Sequence, residues 1–200
     1  MKYIIEVGAN SGSHTERFIS DDSIVFAFEP SEPLYLHLIN KFRDNSRVIV
    51  LPFAVDIENS VKTFNVSLSG DCGVGSLYDF HEGLKDTILG RHEVFQSFSG
   101  KQKTLTIRLD TFLNGWKIPY VDYLHIDAQG SDFNCIKSLG ERIKDVREGV
   151  CECTWKIPLY SGVDNYYENV KEYLEKTGNF KVDVAYEHQH QSEIDLRFYR

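Results

Sequence analysis

Tyr3-Ile4-Ile5-Glu6-Val7-Gly8-Ala9-Asn10-Ser11-Gly12 stands almost at the start of the chain, and Thr15 to Ile19 after it reads as helix. A short apolar strand that runs into a turn of small residues and then a helix is the opening unit of a doubly wound α/β fold. Small residues let a ligand approach the backbone, and the helix points its N-terminus at the same place. The spacing is Gly-x-x-x-Gly. A dinucleotide fingerprint is Gly-x-Gly-x-x-Gly, and here Asn10 replaces its second glycine; the Gly-Lys-Ser/Thr of a phosphate-binding P-loop is absent. Taken alone, the turn reads equally well as a tight connection with no ligand.

Moving outward, the same unit recurs. Ile24 to Phe28 is apolar and ends at Glu29-Pro30. Ser31 is placed to cap the next helix, Pro33 falls in its first turn, and Leu34, Leu38, Ile39 and Phe42 have helical spacing. Arg47 to Val55 reads as a third strand. These strands are continuous apolar runs, the mark of a parallel sheet covered on both faces. Val121 to Ile126 is a further strand ending at Asp127, and Ser131 caps a helix whose stripe is Phe133, Ile136, Leu139 and Ile143. Gly149 to Cys153 is a strand, and Tyr167, Val170 and Leu174 mark a helix ended by Gly178. Phe180 to Tyr186 and Ile194 to Tyr199 follow with no helix between them, so they form a hairpin and the last strand is antiparallel.

Between the halves, Thr63 to Leu68 reads as a strand. Residues 69–103 show no clear periodicity, a loop length that inside a compact domain usually serves function. This insertion, read as a lid, carries Tyr78, Phe80, Phe95, Phe98, His81 and His92. Its aromatics are suited either to stacking on a ligand or to packing the lid onto the domain. Leu105, Ile107 and Leu109 then alternate as a strand before Asp110.

The chain of 200 residues, with 42% apolar and 26% charged residues, suits one soluble globular domain. A formal net charge of -8 argues against nucleic acid as partner. No apolar run is long enough to span a membrane, and the N-terminus lacks a signal-peptide pattern. A core strand so close to Met1 leads us to expect one domain of a longer protein. Cys72, Cys135, Cys151 and Cys153 suggest no disulfide framework, and a reducing, cytoplasmic compartment is the expectation. Cys151 and Cys153 share one strand face and read as buried core in preference to metal ligands.

In doubly wound sheets, ligands bind beyond the carboxyl ends of the strands. There Glu29 is placed to accept both hydroxyls of a ribose, and Pro52-Phe53-Ala54-Val55 suits either an adenine or core packing. With the glycine turn, this points to a nucleoside ligand, NAD or S-adenosylmethionine. At this point the chain resembles the FkbM-type class I methyltransferases. The resemblance rests on Glu6 to Gly12, Phe28-Glu29-Pro30, Ala54-Val55 and Tyr123-Leu124-His125-Ile126-Asp127-Ala128-Gln129-Gly130-Ser131-Asp132, with Gly73 to Leu77 and Leu109-Asp110 in the right order. That family usually has an acidic residue or glutamine where Gln129 stands.

The resemblance implies a mostly parallel, seven-stranded Rossmann-like sheet with an antiparallel last strand, S-adenosylmethionine as donor, and mostly oxygen acceptors such as sugars in glycans. It also suggests fusion to glycosyltransferase domains. Carried over by position, Glu6 would lie near the donor's amino acid portion. Gly8, Ala9, Asn10, Ser11 and Gly12 would form the binding turn. Glu29 would hold the ribose, with Phe28 and Pro30 beside it among the cofactor-binding residues, Ala54 and Val55 would border the adenine, and Asp127 would lie under the methyl.

For the acceptor half, the strand ends nominate Asp127 and Glu152, which would bind or deprotonate a hydroxyl or hold a divalent cation such as magnesium that acidifies it. His125 shares a face with Asp127 and is a candidate base, with a packed core histidine the plainer reading. His14 sits at a helix start near the glycine turn. Trp155 and Tyr160 are placed to line the cleft, and His188-Gln189-His190 has metal-like spacing but reads better as a solvated turn. The sequence therefore leads to an S-adenosylmethionine-dependent O-methyltransferase acting on a sugar, a glycan or a similar small acceptor. A nucleotide-linked oxidoreductase, a binding module without activity and a nucleic-acid methyltransferase, the last disfavoured by the acidic balance and the absence of a basic tract, are the alternatives.

Overall fold

The computed structural model describes residues 1–67, 73–86, 98–188 and 192–200. In chain order it contains β1 (Lys2–Val7), α1 (Ser13–Phe18), β2 (Ser23–Phe28), α2 (Glu32–Phe42), β3 (Val48–Leu51), β4 (Phe53–Val55) and β5 (Ser60–Val66). After these come β6 (Gly100–Ile107), α3 (Leu109–Gly115), β7 (Val121–Ile126), α4 (Asp132–Lys137), β8 (Val146–Thr154), α5 (Tyr167–Lys176), β9 (Lys181–Glu187) and β10 (Glu193–Tyr199).

Seven strands form one sheet in the order β3-β2-β1-β7-β8-β10-β9. β1 pairs in parallel with β2 and β7, and β7 in parallel with β8. β10 runs antiparallel between β8 and β9. This is the doubly wound, mostly parallel sheet with an antiparallel last strand that the sequence predicts. The switch point lies beside β1, where the chain order reverses. Ligands of such sheets bind there because the loops on either side diverge to opposite faces.

One run expected as a single strand divides. Residues 47–55 split at Pro52 into β3, which pairs with β2, and β4, which joins β6 and β5 in a separate three-stranded sheet. Proline has no N–H for the ladder, so the chain leaves the main sheet there. Ala54 and Val55 therefore face the strand ends from a second wall. Leu109, expected as strand, opens α3 instead. β6 ends at Ile107 and begins at Gly100, inside the region read as irregular.

The main core lies on one face of the large sheet, where Ile5, Val7, Leu124, Ile126 and Leu196 meet α3, α4 and α5. Each such fully buried aliphatic side chain contributes about 1.5–3 kcal/mol. Cys151 and Cys153 belong to this core, with Sγ atoms 3.9 Å apart. On the other face, Ala9, Ala27, Leu38, Phe42 and Val48 form a smaller cluster under α2. A third cluster joins Leu84, Leu159 and Tyr160, with Tyr78, Phe80 and Phe98 packed on it. Of the two uses open to the insertion's aromatics, these three are spent on packing, and the Phe80 and Phe98 rings stack at 4.1 Å. Cys72, His92, Phe95, Gln189 and His190 lie outside the described residues.

Candidate active site

The ends of β1 and β7 set the geometry. Asp127 N donates to Val7 O at 3.0 Å, and a Cβ on Gly8 would lie 1.9 Å from the Asp127 carbonyl oxygen. Gly8 also has φ +83°, so both space and backbone conformation require glycine. The glycine the sequence assigns to ligand approach is thus demanded first by the neighbouring strand.

The turn and the acid after β2 form one unit. Asn10 N donates to Glu29 Oε2 and Ser31 N to Glu29 Oε1, each at 2.8 Å. Asn10 holds φ +49°, which aims its N–H at the carboxylate. Glu29 is 4% exposed, and burial pushes its pKa up to about 7, against the pull of the two backbone donors. Ser31 makes no side-chain cap to α2: its N–H donates to Glu29, and its buried Oγ has no partner among the described residues. Ser131 likewise makes no side-chain cap to α4, and Asp132 fastens the loop before the helix, accepting from Ala128 N at 2.9 Å and Gly130 N at 3.1 Å.

A cleft of about 620 Å³ opens above these residues. Gly8, Asn10, Glu29 and Pro30 form one wall, Ala54, Val55 and Phe64 the second, and Asp127 with Gln129 the third. Gly73, Gly75 and Leu77 close it, held by paired hydrogen bonds between Asn65 and Ser76 and by Ser76 Oγ donating to Gln129 O at 2.6 Å. Four buried polar atoms of residues on its walls, Asn10 Oδ1, Ser31 Oγ, Ser67 Oγ and Ser131 Oγ, have no hydrogen-bond partner among the described residues. Buried polar groups are normally satisfied, so this cleft is built for a polar ligand. It offers a carboxylate beside two unmet oxygens and, across from them, an apolar wall. That combination fits a nucleoside, ribose on Glu29 and base against Ala54 and Val55.

Ala9, Ser11, Gly12 and Phe28 shape the turn without lining the cleft. Glu6 does not line it either. Its carboxylate accepts from Thr15 Oγ1 at 2.5 Å and faces His14 and His125. Burial raises Glu6 to about 7.

The acceptor side is a hydrogen-bonded chain. Gln129 Nε2 donates to Asp127 Oδ1 at 2.8 Å and to Glu152 Oε2 at 3.0 Å, while Tyr160 OH donates to Gln129 Oε1 at 2.6 Å. Burial raises the pKa of Asp127 and of Glu152, opposing the ionisation of both. His188 Nε2 lies 3.3 Å from Asp195 Oδ1 and 3.8 Å from Glu152 Oε1, so it is not the solvated turn residue the sequence suggests. Glu152, His188 and Glu193 bring donor atoms within 4.8 Å of one another, as do Glu6, His14 and His125. His125 contributes nothing to the cleft wall, and burial lowers its pKa to about 4. His81 is turned into its own loop, its Nδ1 accepting from Gly83 N at 3.1 Å. Trp155 packs against the main core.

Ser31, Ser67 and Ser76 are site residues that the sequence reading missed. Ser31 was assigned to a cap, and serines at 67 and 76 carry no spacing signal. Only the family-like segment Gly73 to Leu77 hinted at the closing strap.

The sequence profile described as Methyltransferase FkbM domain matches residues 6–181. No curated protein matches the chain. Among solved structures, it is similar to a methyltransferase FkbM from Methylobacillus flagellatus KT, with TM-score 0.61 and 11% identity; the match covers 99% of this chain and 43% of that one. It is similar to the Aeropyrum pernix fibrillarin solved with natively bound S-adenosyl-L-methionine, with TM-score 0.52 and 11% identity over 100% of this chain and 66% of that one. It also resembles the Methanococcus jannaschii fibrillarin pre-rRNA processing protein, with TM-score 0.51 and 15% identity over 99% and 66% of the two chains. At these identities the likeness is one of fold, and the chain spans less than two thirds of each of these structures.

Proposed function

This chain belongs to the methyltransferase FkbM domain family, and from that premise we propose that it is an S-adenosylmethionine-dependent O-methyltransferase whose acceptor is a hydroxyl of a sugar, a glycan or a similar small molecule. The observation that carries the reading is Glu29, a buried carboxylate fixed by Asn10 N and Ser31 N on the wall of the cleft. Each of its oxygens keeps a lone pair for a ribose hydroxyl, and Ser31 Oγ and Asn10 Oδ1 stand beside it. The donor, when bound, supplies an electrophilic methyl on a positively charged sulfur.

The residues of the chain do the rest. Glu29 and the Gly8 turn fix one end of the donor, and Ala54 and Val55 offer an apolar bed for the other. Asp127 is on the cleft wall, so it is the group that meets both donor and acceptor. A positive charge near Asp127 favours its ionised form and opposes the effect of burial. Once ionised, Asp127 would accept a hydrogen bond from an acceptor hydroxyl and take its proton as the oxygen–carbon bond forms and the carbon–sulfur bond breaks, its electron pair leaving with the now neutral sulfur. Gln129 holds Asp127 in place from behind, and Glu152 receives the second N–H of the same amide. Alignment of the hydroxyl with the methyl is the protein's main contribution, because the donor is already activated.

The test is a methyl-transfer assay with labelled S-adenosylmethionine against a panel of free sugars, glycosides and amines. Label in the hydroxylated acceptors, abolished by Asp127→Asn, supports the proposal. Transfer to amines only, or to none of the acceptors by a protein that binds the donor, contradicts it.

A further inference from the structure

We infer that Glu6, His14 and His125 form a binding site for a divalent transition-metal ion, of the zinc class, on the face of the sheet under α1. The three residues come from three elements. Glu6 and His125 are direct partners in the pairing of β1 with β7. His14 stands in the first turn of α1, and its ring meets the His125 ring edge-on at 4.6 Å. One ligand atom from each lies within 4.8 Å of the others. The set of two imidazoles and one carboxylate is borderline-soft, and it suits zinc, cobalt or iron(II) better than calcium or magnesium, which prefer all-oxygen sites.

A separate observation points to a ligand. His125 Nδ1 is buried and has no hydrogen-bond partner among the described residues. A buried ring nitrogen without a partner costs free energy, and a metal bond removes that cost. The carboxylate is already oriented from outside, because Thr15 Oγ1 donates to Glu6 Oε2 at 2.5 Å, as an outer partner of a metal ligand does. In a tetrahedral site with bonds of about 2.0–2.1 Å, ligand atoms stand roughly 3.3 Å apart. Reaching that spacing requires the three side chains, now within 4.8 Å of one another, to draw in on the ion. The ion would then tie α1 to β1 and β7 directly beneath the Gly8–Gly12 turn. This is not the cleft that takes the donor, and the inference does not depend on the activity proposed above.

The experiment is equilibrium titration of the chelator-stripped chain with Co²⁺, read by visible ligand-field absorption, followed by displacement with Zn²⁺. His14→Ala and His188→Ala are titrated in parallel, with circular dichroism to show that both fold. His188→Ala reports on the other candidate cluster. The expected result is one saturable Co²⁺ site with low-symmetry absorption, displaced by Zn²⁺, unchanged in His188→Ala and weakened at least about 10- to 100-fold in His14→Ala. Absence of a saturable site, a site that survives His14→Ala, or one that His188→Ala abolishes overturns the inference.

Discussion

Asp127 and Glu152, at the ends of adjacent parallel strands, are joined through one side-chain amide: Gln129 Nε2 lies 2.8 Å from Asp127 Oδ1 and 3.0 Å from Glu152 Oε2. Two half-buried carboxylates side by side repel when ionised, and a shared donor between them is a neutral bridge that satisfies both. Tyr160 fixes the amide from its other end, so its orientation follows from the network.

Substituting Gln129→Glu puts a third carboxylate between two others. The Tyr160 hydroxyl keeps an acceptor, but both Asp127 and Glu152 lose a donor. We expect lower stability at neutral pH, by about 1–3 kcal/mol, and partial recovery on acidification as the extra carboxyl protonates. Urea denaturation at pH 5 and pH 8 measures it; a variant equally stable at both pH values would show that the amide is no bridge.

Tyr160→Phe removes the donor to Gln129 Oε1 at 2.6 Å and leaves that oxygen unmet in a buried network. A loss of about 1–2 kcal/mol in chemical denaturation is expected. Methyl-transfer kcat should fall with little change in donor affinity, because the Glu29 end of the cleft is untouched. A fall in donor affinity alone would place Tyr160 elsewhere in the mechanism.

The Glu29 carboxyl has its pKa raised by burial from 4.5 to about 7 in the folded chain. The folded state therefore holds a proton there that the unfolded state has lost between those values. By linkage, this group's contribution to stability is present in full below pH 4.5 and is lost as pH rises through about 7. His125, lowered from 6.5 to about 4, works the opposite way and loses stability as pH falls. The comparison that isolates Glu29 is the wild-type chain against Glu29→Gln, each unfolded in urea from pH 4.5 to 8. The wild type should lose stability relative to the variant as pH rises; parallel profiles would show that Glu29 is not buried as a carboxyl.

Gly8→Ala should fail outright. Its Cβ would overlap the Asp127 carbonyl oxygen at 1.9 Å, and φ +83° adds strain. Expression as an aggregate or a severely destabilised chain is expected, and a soluble variant with an unchanged unfolding midpoint would contradict the strand-end geometry.

Much of this architecture can be read from the residues. Apolar runs ending at Gly8, Glu29 and Asp127 identify the parallel strands and the side on which ligands bind, because the doubly wound rule ties those two facts together. The hairpin of β9 and β10 follows from two strands with no helix between them. Pro52 was a legible break that periodicity alone overrode, since residues 47–55 are apolar on both sides of it. Ser31 and Ser131 have the residue type and position of helix caps, but neither side chain bonds its helix, and residue type alone does not encode which way a hydroxyl turns. Pairings such as Asn10 with Glu29, or Gln129 with Glu152, depend on which loops the strand order brings together, and no local pattern encodes that. Glu6 shows the same limit. Its position in the motif suggests the donor, yet the pleat turns its side chain to the opposite face of the sheet from Ile5 and Val7.

The central claim is that the cleft over Glu29 takes S-adenosylmethionine. Isothermal titration of the purified chain with S-adenosylmethionine and, separately, with NAD tests it most directly, using wild type and Glu29→Ala. The account predicts a single saturable site for S-adenosylmethionine, weakened about 10- to 100-fold in Glu29→Ala for the loss of charge-assisted bonds of about 1.5–3 kcal/mol, and no comparable binding of NAD. No heat of binding with S-adenosylmethionine, or equal affinity in the Glu29→Ala variant, would contradict it.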